Sequence, residues 1–149
     1  MERVKVFIDS DIFIRDLRYP KDQRFRENSA FLEQVYKGKL KGFTSIYNVL
    51  EVCGILSFNL SEERLLELYA GFRDKYNLQI LFPKRNGESV CFLISELFLL
   101  IAKKLSFGDA LIASMVEQNH KALDRFISWN AEHFKDKLSV EAITPPEIL

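Results

Sequence analysis

The chain has 149 residues, enough for one ordinary globular domain that buries roughly two thirds of its unfolded surface. With 48% hydrophobic and 28% charged residues it is not a disordered chain. Its 21 basic and 21 acidic residues leave none of the basic excess of a general phosphate-backbone binder. That balance leaves room for an enzyme that touches few phosphates, or one whose acidic site offsets basic residues elsewhere.

Val4 to Ile8 is a continuous apolar run ending at Asp9, the pattern of a strand buried on both faces of a parallel sheet. A helix is predicted over Arg24 to Lys37 from the spacing of Phe25, Phe31, Leu32 and Val35. Gly42 to Ser45 reads as a second strand, and Thr44 or Ser45 caps a helix with Ile46, Val49, Leu50, Cys53 and Leu56 on its apolar side. Ser61 opens a helix to about Tyr76. Leu78 to Phe82 is a third strand stopped by Pro83, and Gly87 to Lys104 is helical. Ser106 caps Phe107 to Asn119, a fourth strand lies within Ala122 to Ser128, and Asn130 to Phe134 is a short helical turn. Leu138 to Ile143 suits a fifth strand, and Pro145-Pro146 is expected to end the ordered domain. Alternating short strands and helices, with no linker or repeat, predict a single α/β domain, a three-layer α/β/α sandwich around a mostly parallel sheet of four or five strands. Ligands then bind beyond the carboxyl ends of the strands.

The chain starts almost directly on a strand, with no signal-peptide pattern, and its longest apolar run, Val90 to Ala102, falls short of the roughly 20 residues of a membrane span. Cys53 and Cys91 lie in apolar surroundings and read as buried free thiols of a reducing compartment. A cytoplasmic location without membrane contact is expected.

The acids are the informative feature. Asp9 follows the first strand in FIDSDIFI, Glu51 sits in SIYNVLEV at the centre of an otherwise apolar helix face, and Asp109 lies in the first turn of the helix LSFGDALIAS. An unpaired buried carboxylate costs several kcal/mol, so such acids want a cationic partner or a metal. Oxygen donors with no His or Cys set favour a hard cation, Mg²⁺ or Mn²⁺. Each acid also has a plain reading. Asp9 could close an Asx-turn, Glu51 could pair with a base (although Tyr47, Asn48, Gly54 and Ile55 at helical spacing offer none), and Asp109 could form a capping box with Ser106.

Taken in order, FIDSDIFI, SIYNVLEV, SFGDALIASMVEQ and ISWNAEHF resemble the PIN-domain family, most closely its VapC-type toxin branch, over nearly the whole chain. The resemblance implies a Mg²⁺- or Mn²⁺-dependent endoribonuclease leaving 5′-phosphate and 3′-hydroxyl ends. In it Asp9, Glu51 and Asp109 are the metal-binding acids, and Asn130 stands where many members have a fourth acid. Asn130 supplies no negative charge, so a second metal would bind weakly there, or Glu132 would substitute; Asn130 also reads as an N-cap. His133 reads as packing or capping and His120 as a solvent-facing cap. The resemblance also implies a small antitoxin partner and a homodimer, with RNA as substrate. A non-catalytic PIN-like RNA- or protein-binding module is the alternative. Asp-x-Asp after a strand also opens the haloacid-dehalogenase phosphatase motif, but Phe13 stands where that motif wants Thr or Val.

Ser10 is placed to help position a phosphate or a metal-bound water, and Asp11 to cap the following helix. Arg15, Arg18, Lys21, Arg24 and Arg26, interleaved with Tyr19 and Phe25, suit a single-stranded nucleic acid if this stretch is a substrate loop. Lys37, Lys39 and Lys41 form a second basic turn. Apolar residues surround most of the helix Gly87 to Lys104, which is therefore buried all round or lies at an interface.

Overall fold

A computed structural model of the chain describes residues 2–83 and 90–149, the side chains of 90–92 excepted. The element order is β1 (Lys5–Ile8), α1 (Ser10–Arg18), α2 (Phe25–Tyr36), β2 (Lys41–Ser45), α3 (Ile46–Leu56), α4 (Glu62–Tyr76), β3 (Gln79–Leu81), α5 (Val90–Ala102), α6 (Phe107–Gln118), β4 (Arg125–Ile127), α7 (Ala131–Phe134) and β5 (Glu141–Ile143). The five strands form one sheet in the order β3-β2-β1-β4-β5, every pairing parallel.

β1 is central, and its alternating side chains divide the core. Val6 and Ile8 face a cluster built with Ile12, Phe31, Val49 and Phe72, while Phe7 faces a second built with Ile112, Met115, Phe126 and Phe134. Val6, Phe7 and Ile8 are fully buried, as the uninterrupted apolar run requires. The chain first winds outward from β1 through β2 to β3, then returns to place β4 on the other side of β1. The crevice at the carboxyl ends of β1 and β4 is therefore the point where the winding reverses, the usual position of a ligand in such a sheet.

Caps fix where the helices enter. Ser45 and Asn48 form a reciprocal capping box on α3, and Ser61 and Ser106 accept the N3 amides of α4 and α6. Gly42 lies where α2 meets the sheet: a Cβ there would stand 2.6 Å from Val35 Cγ1.

Several expectations are corrected. Arg15 and Arg18 belong to helix α1, not to a loop, and Asp9, not Asp11, is that helix's N-cap. Leu50 is outside the apolar stripe of α3, 52% exposed, while Val52 is buried within it. Pro145-Pro146 does not end the folded region: Pro145 is buried in a 3-10 turn and Ile148 packs on the first core cluster. Of the two readings of the Gly87 to Lys104 helix, burial all round is removed for the described part of α5, where Ile94, Phe98 and Leu99 are exposed, and the interface is left. Residues 87–89 of the predicted helix and the Cys91 side chain lie outside the described residues. Cys53 is a buried free thiol, its pKa raised by burial. No helix among the described residues is long and apolar enough to cross a membrane.

Candidate metal centre

Asp9 is placed by two neighbouring elements at once. It leaves β1 in extended conformation and caps α1, Oδ1 accepting from the Ser10 amide at 2.8 Å. Its own amide donates to the Ile127 carbonyl, which ties it to β4. The same Oδ1 accepts from Asn48 Nδ2 at 3.4 Å, and Oδ2 accepts from Ser128 Oγ at 2.8 Å. Asn48 is fully buried and also donates to Ser10 Oγ at 2.9 Å, so the cap of α3 braces the start of α1. The Asx-type reading of Asp9 is thus present in the structure, alongside a setting that leaves the residue 7% exposed.

Asp11, one turn-position further into α1, shares the Ser128 hydroxyl, at 3.2 Å from Oδ2. One hydroxyl proton serves only one carboxylate at a time. Asp11 Oδ1 is buried and has no hydrogen-bond partner among the described residues. Burial raises the Asp11 pKa from 3.8 to about 6, although the Ser128 hydroxyl, the Arg15 charge and the nearby Trp129 and Asn130 amides pull it down; neither amide satisfies Oδ1. Asp9 is raised well above the ordinary carboxylate range, first by burial and then by the Asp11 charge, with Asp109 adding to the repulsion. The crevice therefore holds more negative charge than the protein's own donors neutralise.

The other predicted acids stand at its edge. Asp109 is half-buried in the first turn of α6, and its Oδ2 lies 3.4 Å from His133 Nε2 on α7, an ion pair when the imidazole is protonated. Glu51 is exposed, not embedded in an apolar face as its neighbours suggest. Its Oε2 lies 3.5 Å from where a Cβ on Gly108 would stand, beside the first turn of α6. Asn130 is exposed at the N-cap position of α7 without a side-chain capping bond, and Glu132 is exposed. Ser10 is buried against Asn48, so its hydroxyl braces Asp9's helix. Arg15 pairs with Asp22 at 3.2 Å, and Arg18 lies over the Tyr19 ring. His120 is exposed, its Nδ1 at 2.8 Å from the Glu117 carbonyl.

Asp11 and Asp109 are thus each in electrostatic reach of Asp9, with Glu51 beside the first turn of the helix that carries Asp109. No three acids, histidines or cysteines among the described residues stand together at the spacing of a metal's ligand shell. In donor chemistry the residues still fit a hard cation: the acids offer only oxygens, and one buried oxygen lacks a partner. Sequence reasoning missed Ser128, Asn48 and the weight of Asp11. The Asp-x-Asp spacing was the available signal for Asp11; Ser128 and Asn48 had none beyond polarity at an element's end.

No protein-family model and no curated protein matches the chain. Solved structures do. The chain is similar to VapBC2 from Rickettsia felis, solved bound to a DNA fragment from their promoter, at TM-score 0.66 and 16% identity over 95% of this chain and 98% of that one. VapBC-1 from nontypeable Haemophilus influenzae matches at TM-score 0.66 and 11% identity over 96% and 99%. VapC20 from Mycobacterium tuberculosis, a Sarcin-Ricin loop cleaving toxin, matches at TM-score 0.55 and 14% identity over 81% and 86%. With a parallel sheet that carries Asp9 at its central strand end, the chain has the VapC-type PIN-domain fold.

Proposed function

We propose that this protein is a Mg²⁺- or Mn²⁺-dependent endoribonuclease, the toxin of a toxin–antitoxin pair. The observation that carries the reading is the charge imbalance at the β1–β4 crevice. Asp9 and Asp11 are both raised by burial, one hydroxyl is divided between them, and Asp11 Oδ1 has no partner among the described residues. A divalent cation relieves each of these at once.

Asp9 would be the central ligand, with Glu51 and Asp109 contributing directly or through water and Asp11 as a further donor. When bound, the ion supplies charge neutralisation at a phosphate and an acidified water for in-line attack on phosphorus. The protein's own part is orientation: Ser10, Asn48 and Ser128 hold the Asp9 carboxylate in one direction. Asn130, exposed at the end of β4, adds a neutral oxygen and no charge, which favours one metal over two.

The toxin role, with a small antitoxin as partner, rests on the likeness to VapC proteins. Self-association is proposed through the apolar face of α5, where Ile94, Phe98 and Leu99 are exposed.

The test is Asp9→Asn in a Mn²⁺ titration with a generic single-stranded RNA. Cleavage giving 5′-phosphate ends should disappear while circular dichroism stays unchanged. Undiminished Mn²⁺-dependent cleavage by the variant defeats the assignment. Binding without turnover by the parent protein at every metal concentration favours a non-catalytic module instead.

A further inference from the structure

Trp129 follows Ser128 directly, so its position is set by the same strand end that contacts Asp9 and Asp11. Its indole Nε1 donates to Asn28 Oδ1 at 2.7 Å, and Asn28, fully buried, donates in turn to the Ile12 carbonyl at 2.9 Å. The ring is thereby fixed between β4, α1 and α2. Two guanidinium groups lie on it: Arg24 with Cζ 5.1 Å from the ring centroid, and Arg15 at 5.5 Å.

The two arginines are not equivalent. Arg15 is mostly buried, is paired with Asp22, and is near enough to Asp11 to lower its pKa. Arg24 is exposed and makes no ion pair within 4 Å among the described residues; its backbone amide, not its guanidinium, donates to Asp22 Oδ1 at 2.8 Å, and that bond, with the Arg15 and Arg24 charges, holds the Asp22 carboxyl below its usual range. A guanidinium resting on an indole is oriented by the ring while its N–H edge stays free for a phosphate, and both planes can stack with a nucleobase. A fixed cation beside a strongly acidic crevice also supplies what that crevice lacks for a polyanionic ligand.

We propose that Arg24, carried on Trp129 and backed by Arg15, is a subsite for a backbone phosphate of single-stranded RNA next to the carboxylate crevice. It would hold the strand one contact away from the bond to be cut, and so set its register. This inference rests on RNA being the substrate, as proposed above. It gives the contact to Arg24, whose supporting ring, Trp129, adjoins Ser128 at the crevice, in preference to Arg18, which lies over Tyr19 at the C-terminal end of α1.

Trp129 is the chain's single tryptophan, so the subsite reports on itself. A fluorescein-labelled oligouridine is titrated into the full chain in EDTA, where no cleavage occurs, with anisotropy and tryptophan emission read together. The two signals should saturate at the same midpoint. Arg24→Ala should weaken binding on the order of tenfold and lower the salt slope by about 0.7, the value of one single-strand phosphate contact. Arg24→Lys should restore part of the affinity, and Lys121→Ala, at the opposite rim before β4, should change neither signal. Saturated anisotropy with silent tryptophan emission, or unchanged affinity in Arg24→Ala, overturns the subsite and leaves the nuclease reading standing. Failure of the parent to bind RNA in EDTA overturns the subsite, while the nuclease reading is decided by the Mn²⁺ cleavage assay above. An emission change with an acidic peptide but not with RNA overturns the subsite in favour of a protein contact.

Discussion

Asp11 shows how much a single carboxylate can hold against the fold. Burial raises its pKa to about 6, so between about pH 6 and its ordinary value of 3.8 the folded chain holds a proton that the unfolded chain has released. Stability from this group therefore rises as pH falls through that window, and above it the ionised form carries a penalty of about 3 kcal/mol. Asp11→Asn should raise unfolding free energy at pH 7 by roughly 1–3 kcal/mol, with the difference from the parent vanishing near pH 4. Urea denaturation at the two pH values measures it, and equal stability at pH 7 counts against the strained carboxylate. Little of this was legible in the sequence. Asp9 was marked by ending an apolar run, but Asp11 is buried by Ser128 and its neighbours, more than a hundred residues further along the chain. The exposure of Glu51 is not legible in the sequence because Leu50 and Ile55 beside it are themselves at the surface, and a local apolar pattern does not tell a core stripe from an exposed one.

At the scale of elements, period and capping chemistry carried most of the fold. The uninterrupted run into β1, the Ser-capped starts of α3, α4 and α6, and the stop at Pro83 all rest on local interactions, which a single sequence displays directly. Helix α1 is less readable, because its charged residues also suit a loop while its anchors are held from afar, Phe13 by Phe72 and Tyr76 and Ile12 within the same core cluster. The closeness of α2 to the sheet depends on Gly42. In Gly42→Ala the new methyl would meet Val35 Cγ1 at 2.6 Å, with Leu78 and Ile8 close behind, and a buried β-branched neighbour has little freedom to yield. A loss of about 1–3 kcal/mol is expected from urea denaturation, with the proposed cleavage unaffected below the transition.

For the molecule as a whole, the largest unspent resource is apolar surface. Ile94, Phe98 and Leu99 on α5 and Phe107 at the start of α6 are exposed, and α5 and α6 pack together. If this surface joins two copies, Phe98→Lys should convert a dimer to a monomer in multi-angle light scattering without loss of folded structure; a parent protein that is already monomeric at high micromolar concentration refutes that role. The central position of β1 has a different consequence. Its partner on one side, β2, is made soon after it, but its other edge remains open until β4 has been synthesised. A nascent chain halted before residue 125 thus has Asp9 without Ser128, and half a crevice. Order of synthesis alone keeps the acidic rim unassembled until most of the polypeptide exists, so premature termination yields fragments without the proposed chemistry.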